Sequence, residues 1–170
     1  MGDTARWTGP PERDGINGFF SQFNRNKRAI CVDMKSQEGI DIVRKLALSA
    51  DVIICNYRPG VAERLGFGYE SLREQNPGLI FVLVSGFGPD GPYSEQPAYD
   101  LVVQGMAGTM PTQGNAGPPQ MIRSVIADKT AAITAASAAL AALLARERNG
   151  GTGQMVHVPM INAYAQIALP

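Results

Sequence analysis

Three short apolar runs, separated by stretches of helical spacing, constrain the fold of this chain more than any other feature. They are residues 29–32, 52–55 and 79–84. Each is rich in β-branched residues and bounded by polar or turn-forming ones, so each reads as a buried strand. After the first run Ser36 offers a helix N-cap, and Ile40, Val43, Leu46 and Ala47 recur at helical spacing up to Ala50. Asn-Tyr-Arg-Pro-Gly at 56–60 closes the second run with turn chemistry. A short helix over 69–75 leads to the third run, which ends in a loop rich in glycine and proline at 85–92. A helix near 99–107, a second Gly/Pro loop at 109–120 and a long alanine-rich helix over 128–148 follow. Gly150 stands where a C-cap is expected, with Arg146 and Arg148 at the helix's negative end. A last strand over 154–158 precedes a helical tail.

Nearly continuous apolar strands alternating with helices predict an α/β fold: a Rossmann-like, open, mainly parallel sheet with helices on both faces. Crossovers are expected to be right-handed. The first 18 residues read as an irregular arm and 19–170 as one domain body. The chain opens with an arm instead of a strand and ends in a helix without a stop signal, so neighbouring elements are expected to be missing.

Composition narrows the function. The 170 residues carry 15 basic and 15 acidic side chains, and a balanced chain lacks the basic face of a general nucleic-acid binder. The two cysteines, Cys31 and Cys55, lie inside apolar runs without a CxxC pair and read as reduced packing residues. His157 is the single histidine, lies in the last strand, and cannot build a metal site unaided. The first residues lack the apolar core of a signal peptide. The best membrane candidate, 131–145, is mostly alanine and falls short of the ~20 apolar residues of a span. A soluble cytoplasmic protein, not attached to a membrane, is expected.

Ligands of open α/β sheets gather at the carboxyl ends of the strands. Here those ends are Asp33-Met34-Lys35, Asn56-Tyr57-Arg58 and Ser85-Gly86-Phe87-Gly88. Arg25, Lys27, Arg28 and Lys35, with Arg58 and Arg64, could face a phosphate-rich ligand or simply solvent. Neither a dinucleotide fingerprint nor a Walker motif is present. Asp128 opens the long helix and has two readings. It is a good N-cap, and it is also a carboxylate able to attack a thioester as a nucleophile. The roles compete, because bonds that stabilise the anion weaken it. Asp100 also lies near a helix start, so a carboxylate pair is open.

Four segments in order then carry a resemblance: NRNKRAICVDMKSQEG, ADVIICNYRPGVAERLGFGYESLREQNPGLIFVLVSGFGPDGP, PAYDLVVQGMAG and GTGQMVHVPM. Together they resemble the class III CoA-transferases, the family of formyl-CoA transferase, carnitine CoA-transferase and α-methylacyl-CoA racemase. The resemblance implies transfer of coenzyme A from an acyl-CoA to a free carboxylic acid. Asp128 would be the nucleophile, forming an acyl-aspartyl anhydride and then an aspartyl-CoA thioester. Val32, Asp33, Met34 and Lys35 would hold the adenosine part of CoA. Asn56 and Tyr57 would contact CoA, Arg64 its phosphates, and Tyr99 would stand near the reaction. The resemblance implies no permanently bound cofactor and no metal; the CoA thioester is a substrate. It implies an interlocked homodimer. The racemase branch has histidine where this chain has Tyr99, which favours the transferase; the alternatives are a racemase or a non-catalytic acyl-CoA-binding fragment. Pro97 replaces a family lysine. Family members are longer, with a preceding strand-helix unit and a second, smaller domain.

Overall fold

The structure is a computed structural model that describes residues 3–9, 16–113 and 117–168. Its centre is a three-stranded parallel sheet in the order β1-β2-β3, formed by Val52–Cys55, Ile80–Ser85 and Gln154–Pro159. β2 is the middle strand, which explains why its run is continuous in apolar residues: Ile80, Phe81 and Val82 are fully buried. Side chains alternate across it. Phe81 and Leu83 face one core with Cys55, Phe67, Tyr69 and Leu72. Ile80 and Val82 face the other, with Val158 and the alanines of the long helix.

Helices cover both faces, as the strand pattern requires. On the first face lie α2 (Gln37–Leu48), α3 (Val61–Arg64) and α4 (Tyr69–Arg73). Ser36 caps α2 as expected, its Oγ accepting the Gly39 N–H at 3.0 Å. On the second face lie α5 (Asp100–Met106), the one-turn α6 (Met110–Gln113), α7 (Ile126–Arg148) and α8 (Met160–Ala168). α7 seats on the sheet through Ala131, Ala135, Ala139 and Ala142, a stripe of small side chains that lets the helix lie close to Ile80 and Val82. Gly150 follows its end at φ 70°, and the Gly151 N–H returns to the Arg146 carbonyl, the expected glycine C-terminal turn. Among the described residues α7 is the one helix long and apolar enough to cross a membrane. That corrects the shorter span read from sequence, yet its alanine face is occupied by the sheet.

Two further expectations are corrected. Residues 29–32 form no strand. Ala29, Ile30 and Cys31 are exposed, and among the described residues no neighbouring strand pairs with them. An apolar run becomes a strand only where a partner completes its ladder, and β1 pairs with β2 alone. Cys31 is therefore exposed, whereas Cys55 is buried and its thiol is pushed above the ordinary value by desolvation. The N-terminal arm also carries local order. Thr4–Trp7 is a 3-10 turn, and α1 (Gly18–Phe23) is capped by Asn17, whose Oδ1 accepts the Phe20 N–H at 2.7 Å. Asn17 Nδ2 donates to the carbonyls of Ala5 and Arg6, tying the two pieces together.

Candidate active site

A helix that returns between two parallel strands starts at their carboxyl edge. α7 does so, and its first turn comes to lie beside the loops after β1 and β2. The helix begins at Ile126, two residues before the position read from sequence, so Asp128 is not its N-cap. Val125 holds the cap position and offers no side-chain bond. The missing cap comes from another helix. Asp100 Oδ2 accepts the N–H of Ala127 at 2.7 Å and of Asp128 at 3.1 Å. The Asp100 carboxylate is itself held by Gln104, whose Nε2 donates to Oδ1 at 2.6 Å. The capping role thus falls to Asp100 and not to Asp128. Asp100 takes the amides, and among the described residues no hydrogen bond engages the Asp128 carboxylate. Burial, and then the negative charge of Asp100, raise the Asp128 carboxyl above its ordinary value.

Asp128 stands where two hollows meet. One, of about 610 Å³, is lined mainly by apolar side chains: Phe19, Phe23, Leu101, Met121 and Ile122, with Gln22 and Lys129 at its margin. The other, of about 760 Å³, runs under the carboxyl edge past Ser85 and Gly86 to Asn56, Tyr57 and Arg58, with Lys27 on its wall. Phe19, Phe23, Tyr99, Val125, Asp128 and Lys129 border both. Lys129 Nζ donates to Ser124 Oγ at 3.0 Å.

The structure thus brings Asn56, Tyr57, Tyr99 and Asp128 around one continuous depression, and adds Lys27 and Arg58 from the basic cluster. It does not bring Val32, Asp33, Met34, Lys35 or Arg64 to either hollow. Residues 33–36 form the tight turn into α2. The Asp33 carbonyl accepts from Ser36, Asp33 Oδ1 accepts the Lys35 N–H at 3.0 Å, and Met34 packs on the first core. Arg64 is exposed at the end of α3. Sequence reasoning did not single out Phe19, Phe23 or Gln104. Asn17 before an aromatic pair was the local signal for α1; nothing local marked Gln104. His157 lies exposed on β3 and borders neither hollow, and among the described residues no cluster of side chains could hold a metal ion.

Known proteins carry the same pattern. The family model for CoA-transferase family III matches residues 1–170. The chain is 39% identical to a formyl-CoA:oxalate CoA-transferase of Streptomyces avermitilis over 90% of its own length and 37% of that protein's. It is 38% identical to a succinate–glutarate CoA-transferase of Agrobacterium fabrum, over 98% of the chain and 43% of the relative. A CAIB/BAIF family protein from Brucella suis superposes with a TM-score of 0.93 at 36% identity, covering 99% of this chain and 46% of that one. The chain therefore spans less than half the length of these relatives. A family match over the whole chain, and a fold shared at this level of identity, show that the chain belongs to CoA-transferase family III.

Proposed function

We propose that this chain carries the nucleophile and part of the coenzyme A site of an acyl-CoA:carboxylate CoA-transferase. The observation that carries the reading is a carboxylate, Asp128, which borders two adjoining hollows and has no hydrogen-bond partner among the described residues. CoA would lie along the larger hollow past Asn56, Tyr57, Lys27 and Arg58, where the cations suit its phosphates. The acyl group would reach into the apolar hollow, so that the thioester carbon stands over Asp128 with Tyr99 beside it.

Each step then balances. An Asp128 oxygen attacks the thioester carbonyl, the C–S bond breaks, and CoA leaves as thiolate, giving a mixed anhydride. The thiolate attacks the aspartyl carbonyl and releases the donor acid, leaving an aspartyl-CoA thioester. The acceptor carboxylate attacks that thioester, the C–S bond breaks and CoA leaves again as thiolate, forming a second anhydride. CoA thiolate then takes the new acyl group and frees the Asp128 carboxylate. A raised pKa serves the first step, because a less stabilised carboxylate is the better nucleophile. No metal and no resident cofactor enters this scheme. Arg64 and the 32–35 turn would contact CoA only where it extends beyond the two hollows. A cytoplasmic homodimer completes the proposal.

The test is mass spectrometry of the chain after incubation with succinyl-CoA and hydroxylamine, with Asp128→Asn as control. A hydroxamate on Asp128, absent from the variant, is the expected result. A chain that binds CoA with no modification of Asp128 would sink the reading and leave a binding fragment.

A further inference from the structure

Asp100 lies 28 residues before Asp128, on a different helix, and yet supplies the cap of Asp128's helix. Its own anchoring is unusually complete. Gln104 is 1% exposed, and its side chain spans three segments. Nε2 lies 2.6 Å from Asp100 Oδ1 and 3.2 Å from the carbonyls of both Ile122 and Ser124, while Oε1 accepts the Ile122 N–H at 2.8 Å. The Gln104 backbone carbonyl in turn accepts the Thr109 hydroxyl at 2.9 Å, and Thr109 accepts the Tyr164 hydroxyl at 3.1 Å. The segment entering α7, the start of α5 and the tail helix α8 are thus joined through one buried chain of bonds.

We propose that Asp100 is a positioning residue for Asp128: by occupying the first amides of α7, and being locked there by Gln104, it leaves the Asp128 carboxylate beside the two hollows without a hydrogen-bond partner among the described residues. The inference rests on the reading of Asp128 as the nucleophile. A neutral cap, such as serine or asparagine, would satisfy the same amides. A charged one adds repulsion to the neighbouring carboxylate, and that is what separates positioning from plain capping. Asp100 is the second cause, after burial, of the raised Asp128 carboxyl. The other charged or titratable groups bordering the hollows, Asp3, Lys27, Arg58, Lys129 and the Tyr57 and Tyr99 hydroxyls, are common to the wild type and the variants. The difference between variants therefore isolates Asp100.

The experiment follows the 13C shift of the Asp128 carboxyl against pH in the wild-type chain and in Asp100→Asn and Asp100→Ser. Both variants keep an acceptor for the α7 amides and drop the charge; serine also avoids setting an amide nitrogen against Gln104 Nε2. A downward shift of the Asp128 midpoint in at least one folded variant is expected. With it, trapping of the hydroxamate should slow severalfold at neutral pH. An unmoved midpoint in every folded variant overturns the proposal and reduces Asp100 to a structural cap. The two readings fail separately. Absence of hydroxamate in the wild type defeats the nucleophile, while the titration still decides what Asp100 does.

Discussion

Gly86 is the tightest point of the candidate site, and replacing it with alanine tests how the site is held. A Cβ built at Gly86 would lie 2.3 Å from the Ala98 Cβ. Comfortable carbon contacts need about 3.5–4.0 Å, so Gly86→Ala must drive β2's end and residue 98 apart by roughly 1 Å or more. The backbone at 86 is not left-handed, so the penalty is purely steric. Overpacking of this kind costs about 1–3 kcal/mol of stability. The functional cost should be larger. Ala98 precedes Tyr99, the Tyr99 backbone starts α5, and Asp100 caps α7. A displacement of ~1 Å passed along this route can lower a rate by about 10²-fold. The assay is the rate of hydroxamate formation at Asp128, with urea unfolding to follow stability. Ala98→Gly removes the atom that the new methyl meets, so the double variant should recover most of both losses. Failure of Ala98→Gly to restore the rate would refute the claim that the 86–98 contact sets the position of Tyr99 and Asp100.

Two further outcomes follow from the same structure. The folded chain binds a proton at Asp128 more tightly than the unfolded chain does, because burial and Asp100 raise its pKa. Its charge therefore lowers stability at neutral pH, and the penalty fades as pH falls through the raised value towards the ordinary 3.8. Asp128→Asn should raise the thermal midpoint at pH 7, with the gain vanishing below about pH 3.8; an equal gain at both pH values would contradict the linkage. Phe81→Ala removes a fully buried ring from the central strand and should cost about 3–5 kcal/mol by urea denaturation, whereas a loss under about 1 kcal/mol would mean that the first core collapses around the gap.

The parts of the fold legible in the sequence are those decided by local pattern. The 79–84 run is apolar on both faces because β2 is central, and Ser36 and Gly150 mark helix ends through bonds within a few residues. The same logic misleads at 29–32, where the composition suits a strand but a partner strand is a property of the whole sheet. At Asp128 the local pattern gave a good cap in a plausible place. The real cap, Asp100, comes from a different helix, and no spacing rule reaches that far. The carboxyl-edge rule singled out Asn56, Tyr57 and the loop after β2, and these border one hollow with Asp128. It could not separate them from the 33–35 turn, because the run before that turn pairs with no strand among the described residues.

The order β1-β2-β3 also governs the timetable by which such a chain reaches its shape. β2 gains its second neighbour only when β3 arrives, after the long stretch from Ser85 to Gln154 and the whole of α7. During synthesis, therefore, this apolar strand waits with one edge open until β3 has emerged. Parallel pairings of such wide sequence separation close slowly. The alanine stripe of α7 packs on Ile80 and Val82, so early docking of this helix would protect the nascent chain from pairing with its neighbours.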